Sequence, residues 1–137
     1  MQEMWQTSTL STLKVEITEA DALLAAQEFA EVLAETPEYR AFDVAERRLR
    51  QDPAAQAAIR AFQEKQQALG WQLQFGLVED AKRQELQQLQ RAMVAQPTVQ
   101  AYVEAQERLT LLCQDVAGLI SETIGLNFAA SCGSGCC

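Results

Sequence analysis

A chain of 137 residues has room for one domain with a hydrophobic core and too little for two comfortable ones. Its 11 basic and 19 acidic side chains leave a formal charge of −8, which repels phosphate backbones and argues against direct nucleic-acid binding. Histidine is absent, so the commonest general base and the commonest zinc ligand are removed together.

Residues 1–17 contain no apolar run of the signal-peptide kind, and the first basic residue is Lys14. No stretch reaches the ~20 apolar residues that a membrane span requires. The expectation is a soluble, cytoplasmic protein with no membrane partner, its four cysteines reduced or ligating metal rather than paired in disulfides. Residues 1–17 read as an N-terminal arm, either disordered or a short strand through the alternating Leu13, Val15 and Ile17.

Five helices are predicted over residues 18–125, giving an all-α, antiparallel helical bundle whose long helices complete their core in an oligomer. The first runs over 19–35, opened by Thr18 with Asp21 three residues on, and carries Leu23, Ala26, Phe29, Ala30 and Leu33 on one face. The second, 37–51, starts at Pro37 behind the capping Thr36 and aligns Tyr39, Phe42 and Leu49. Its Arg47, Arg48 and Arg50 suit the negative end of the helix dipole. The third, 53–75, starts at Pro53 behind Asp52. It spaces Ile59, Phe62, Gln66, Leu69 and Leu73 as a heptad-like seam, weakened at Gly70 and ended by Gly76.

The fourth helix, 78–95, has a thin stripe of Leu86, Leu89 and Met93, which suits packing on one neighbour or on a partner chain. The fifth, 98–125, follows Pro97, with Gln96 a weak cap and Thr98 a second candidate one residue later. It is the most apolar, with Val99, Tyr102, Val103, Leu109, Leu112, Cys113, Val116, Leu119, Ile120 and Ile124, wide enough to sit at the centre of a bundle. Gly125 is its predicted stop, and 126–131 are a linker into a flexible, cysteine-rich tail over 126–137.

Catalytic templates fail in turn: there is no phosphate-cradling glycine loop, no histidine triad, no zincin helix and no nucleophile elbow. Glu104 and Glu107 near Arg108, and Glu79 and Asp80 near Lys82 and Arg83, fit surface ion pairs better than acid–base chemistry. Trp5 and Trp71 read as packing or interface residues. No enzyme is expected.

The chemistry that does stand out is thiol chemistry. Cys132, Cys136 and Cys137 share a short tail with Gly133 and Gly135, where thiols contribute little to a core. Thiolate ligation without histidine is the pattern of iron–sulfur clusters and cysteine-only zinc sites, and the glycines let backbone N–H groups curl toward anionic sulfur. The plainer readings are a frayed tail with incidental thiols, or a disulfide formed on oxidation. Three thiols leave one ligand position open. Cys113 is the candidate fourth ligand, the alternatives being the terminal carboxylate, another subunit, or a Cys113 that is simply a small core residue. Residues 113–125 rise about 18 Å as helix, and 126–132 extended span about 23 Å, enough to fold back.

Phe29 to Leu33, then Thr36, Pro37, Glu38 and Tyr39 with Phe42 and Ala45, then Asp52, Pro53 and Ala54 with Phe62, Gln63 and Gln66, begin a dispersed helical pattern. Leu86 and Leu89 continue it, and residues 97–102 with Ala105, Gln106 and Leu109 complete it. Between Ala25 and Val116 this pattern resembles the YlbF/YmcA family of small helical bacterial proteins. The resemblance implies a non-enzymatic regulator that associates with itself as a homodimer or higher homo-oligomer, or with paralogues. Some members join a paralogue and a third, unrelated protein in a complex that controls competence, biofilm formation and sporulation and acts on messenger RNA processing by RNase Y. Cysteine-bearing members of that complex are associated with iron–sulfur clusters through C-terminal cysteines, which here correspond to Cys132, Cys136 and Cys137. Two other readings stand beside it: a purely structural interaction module with an inert tail, and a thiol redox or metal-binding protein using Cys136 and Cys137 directly.

Overall fold

The computed structural model describes residues 16–131, and the chain divides into two compact units, Met1–Glu35 and Thr36–Cys137. Among the described residues the only regular structure is helical. The predicted N-terminal arm falls outside the described residues apart from Glu16 and Ile17, which are in neither helix nor strand.

The first unit contributes α1 (Glu19–Ala34). Its start is the expected capping box: Thr18 Oγ1 accepts from the Asp21 N–H at 3.4 Å, and the Asp21 carboxylate accepts from the Thr18 N–H at 2.8 Å. The Thr18 N–H, and after it the Thr18 hydroxyl donating to Asp21 Oδ2 at 3.0 Å, hold the Asp21 carboxyl below its ordinary pKa. No base sits in its last turn to offset the carbonyl end of the dipole. Leu23, Leu24, Phe29 and Val32 are all exposed.

The second unit contains α2 (Pro37–Arg50), α3 (Pro53–Ala68), α4 (Gly70–Gln74), α5 (Asp80–Val94), α6 (Pro97–Ile124) and α7 (Phe128–Ser131). Thr36 Oγ1 accepts from the Tyr39 N–H at 3.2 Å and Asp52 Oδ1 from the Ala55 N–H at 3.1 Å, so both proline-opened starts are capped as predicted. Gln96 precedes Pro97 without a side-chain capping bond. Thr98 does not cap α6 either; its hydroxyl donates instead to Asp52 Oδ2 at 2.7 Å, across 46 residues of sequence.

The predicted single helix over 53–75 breaks in two. The chain leaves α3 through Leu69, which is buried, and restarts at Gly70 as the one-turn α4. The seam divides with it: Ile59 and Phe62 are half-buried, Leu69 is buried, and Gln66 and Leu73 face solvent. Gly76 ends α4 as expected, at φ 68°, a left-handed conformation that favours glycine. Leu69 and Val78 anchor this connection between α3 and α5, and Lys65 Nζ meets Glu85 Oε2 at 2.5 Å where the two helices run alongside each other. On α5 the thin stripe holds, with Leu86, Leu89 and Met93 half-buried and the rest of the helix exposed.

The main pairing is α2 with α6. Ala45 and Ala105 are buried in it, and the Phe42 and Tyr102 rings lie 5.4 Å apart, tilted by 43°. Val99 is also buried on α6, while Tyr102, Leu109, Leu112, Cys113, Val116 and Ile120 are half-buried. Val103, Leu119 and Ile124, expected on the same inner face, are exposed, as is Leu111. Gly125 stops α6 at φ 72°. Residues 128–131, expected as linker, form α7, which packs back on α6.

Ala45 and Ala105 are buried where α2 meets α6, so a larger side chain there must spread the helices or be forced toward solvent. Ala105→Leu is expected to destabilise the protein by about 1–3 kcal/mol, whereas Ala57→Leu on the exposed side of α3 changes little. Thermal unfolding of the two variants beside the parent checks this; equal melting points would refute the tight α2–α6 contact.

Candidate functional site

The thiols are divided. Cys113 is a free, half-buried cysteine on the inner face of α6. Cys132, Cys136 and Cys137 lie outside the described residues. No group of three cysteine, aspartate or glutamate side chains placed to hold a metal occurs among the described residues. The approach to the tail is defined as far as Ser131. After the turn at Gly125, the Phe128 N–H donates to Ser121 Oγ at 3.1 Å, and Ser121 Oγ itself donates to the Ala117 carbonyl at 2.7 Å. Asn127 Oδ1 accepts from the Ala130 N–H at 3.2 Å and so starts α7. Four of the seven residues counted as extended in the reach toward Cys113 are thus wound into a turn, and the about 23 Å span is shortened accordingly.

A second feature was not foreseen. Between α2 and α6 runs an open groove of about 430 Å³, floored by Ala41, Ala45, Ala101 and Ala105 and rimmed by Arg40, Arg48 and Arg108. Arg108 is committed to Glu104 at 2.7 Å. Arg47 and Arg50, on the same helix, pair with Asp43 and Glu46. Arg40 and Arg48 have no carboxylate partner among the described residues. A cationic rim on a chain of net charge −8 is a local reversal of sign. The sequence held the signal in alanines four apart on two helices, with Arg40 and Arg48 eight apart on one of them. Only the pairing of those helices makes it a surface.

The carboxylates behave as structural groups. The predicted surface pairs include Arg108 with Glu104 and, at 3.9 Å, Arg83 with Asp80. No polar or charged residue is buried among the described residues. Each resolved carboxylate shift is downward, which stabilises the anion rather than preparing a general acid. The Thr98 hydroxyl, then the Ala55 N–H, lowers Asp52, while the hydrogen bond and charge of Lys65 lower Glu85.

A family model described as control of competence regulator ComK, YlbF/YmcA matches residues 23–125. The chain belongs to the YlbF/YmcA family. It is 34% identical over 100 residues to UPF0342 protein DSY2926 of Desulfitobacterium hafniense (strain Y51), an alignment covering 72% of this chain and 81% of that protein. It is 27% identical over 103 residues to UPF0342 protein STH1710 of Symbiobacterium thermophilum (strain DSM 24528 / JCM 14929 / IAM 14863 / T), covering 74% and 92% respectively. The YlbF/YmcA match runs from within α1 to the glycine that stops α6 and ends before the cysteine tail. No helix among the described residues is long and apolar enough to cross a membrane.

Asp52 joins the starts of α3 and α6 more strongly as an anion, since both of its donors favour the charged form. Because its folded pKa is lowered from 3.8, its stabilisation is complete above that value and is lost as pH falls through the folded value. In Thr98→Val the carboxyl relaxes toward 3.8, so parent and variant should differ most in melting temperature above about pH 5 and converge toward about pH 2. A pH-independent difference would disprove this role for the Asp52 charge.

Proposed function

We propose that this YlbF/YmcA-family chain is a non-enzymatic, cytoplasmic adaptor that acts through protein–protein complexes, as a homo-oligomer or with a paralogue and a third protein. The process it serves is control of RNA processing by RNase Y, and through it competence, biofilm formation and sporulation. The observation that carries the adaptor reading is the mismatch between core and surface. Among the described residues the buried apolar ones are Ala45, Ala55, Leu69, Val78, Val99 and Ala105, with no large side chain fully buried. Trp71, Phe75 and Leu77 beside α4, and Leu111 and Leu119 on α6, are at least 60% exposed. Apolar surface on that scale marks sites of association. Sedimentation at low micromolar concentration should give a dimer or larger species; a monomer throughout would reject self-association.

The tail thiolates Cys132, Cys136 and Cys137 would hold an iron–sulfur cluster, with Cys113 the candidate fourth ligand within the chain. The donor chemistry fits: thiolates are the soft ligands such clusters take, and a chain without histidine offers no competing imidazole. A bound cluster would supply a reversible response to oxidant or iron supply, tying assembly to redox state. Protein purified without oxygen should be coloured and contain iron and sulfide, and lose both on substitution of the three tail cysteines by alanine. Colourless, iron-free protein with intact thiols would remove the cluster. Deleting residues 132–137 tests whether the tail matters for assembly; unchanged oligomerisation and partner binding would leave an interaction module with an inert tail.

A further inference from the structure

Charge is unevenly divided along this chain. Residues 1–35 carry seven acidic side chains and one basic, whereas residues 36–137 carry twelve and ten, so six of the eight net negative charges precede α2. Within α1, Glu19, Asp21, Glu28 and Glu31 have no basic companion. Leu24, Glu28 and Val32 recur every four residues, and Glu31 and Glu35 fall on the same side, which makes one face of α1 both apolar and acidic. Leu24 and Val32 on that face are 56% and 64% exposed. A lone helix of 16 residues is marginal in water and is normally held by tertiary packing.

The surface that matches this face in size and charge is the α2–α6 groove. Its floor of alanines with Val44 admits close approach of another helix; on its rim Glu104 pairs with Arg108, while Arg40 and Arg48 have no carboxylate partner among the described residues. Eight residues apart, they are separated by about 12 Å along α2; Glu28 and Glu35, the latter the C-cap just past α1, are seven apart, about 10 Å at helical rise. The elements are also comparable in length, about 24 Å for α1 and about 21 Å for α2. Opposite charges at matched spacing steer and register a contact, while the apolar residues between them supply its buried area.

We propose that α1 of one copy lies in the α2–α6 groove of a second copy, with Glu28 and Glu35 against Arg40 and Arg48 and with Leu24 and Val32 on the alanine floor. Exchange in both directions makes a closed two-fold dimer in which each groove is filled by the other chain's helix. This assignment rests on the self-association proposed above and names the surfaces that mediate it.

Charge reversal tests it on the full-length protein. Glu28→Lys with Glu35→Lys, and separately Arg40→Glu with Arg48→Glu, should each weaken self-association by on the order of tenfold or more at low salt. Mixing the two variants brings each reversed surface against its reversed partner and leaves the unmodified pair intact, so dimers should return with near-parental affinity in sedimentation. Neutral Glu28→Gln with Glu35→Gln gives a smaller loss and guards against misfolding of α1, which circular dichroism follows. Parental dimerisation in both reversed variants overturns the assignment while leaving self-association standing, and so does a mixture that fails to recover. Parental protein that stays monomeric overturns both.

Discussion

The second unit is organised around one carboxylate. Asp52 accepts from the Ala55 N–H with one oxygen, which begins α3, and from the Thr98 hydroxyl with the other, which ties in the first turn of α6. Gln56 reinforces the corner by donating through Nε2 to the Leu49 carbonyl at 2.9 Å, at the end of α2. Two helix starts therefore meet at the Asp52 side chain and the end of α2 is tied in through Gln56, which brings the ends of α2 and α6 to one corner. Charge-assisted hydrogen bonds of this kind are directional, so they fix a corner that apolar contacts alone would leave free to slide.

With that corner fixed, α2 and α6 approach on small residues. Ala45 and Ala105 are buried, Ala41 and Ala101 floor a groove, and the Phe42 and Tyr102 rings stack across the pair. Close approach through alanine has a consequence at the surface. The larger apolar side chains are pushed outward, onto the outer side of α6 and the connection between α3 and α5. Exposed apolar side chains on such a body are the feature on which the proposed adaptor role rests. Charge is divided along the sequence as well: acidic residues gather at and before α1, while Arg40 and Arg48, without a carboxylate partner among the described residues, sit on the α2–α6 rim.

The clustered thiols lie apart from the family match in the sequence. The family match stops at Gly125, the residue that also ends α6, and the three clustered cysteines follow beyond α7. On the function proposed above, association would rest on helix faces and ligation mainly on the tail thiolates, two largely separate sets of residues.

Local chemistry alone determined the all-helical class, the capped starts at Thr18, Thr36 and Asp52, the glycine stops at Gly76 and Gly125, and the thin stripe on α5. A cap or a left-handed stop involves residues within a few positions of one another and acts before any tertiary contact forms. What distant partners control was not readable in that way. Thr98 looked like a cap and serves Asp52 instead, Gly70 looked like a weakness and is a break, and residues 128–131 looked like linker and wind into α7. The outward placement of Val103, Leu119 and Ile124, and the groove that groups Arg40, Arg48 and Arg108, were likewise decided by which helices pair. Periodicity tells a helix which residues share a face, but only its neighbours in space decide which of those faces is covered.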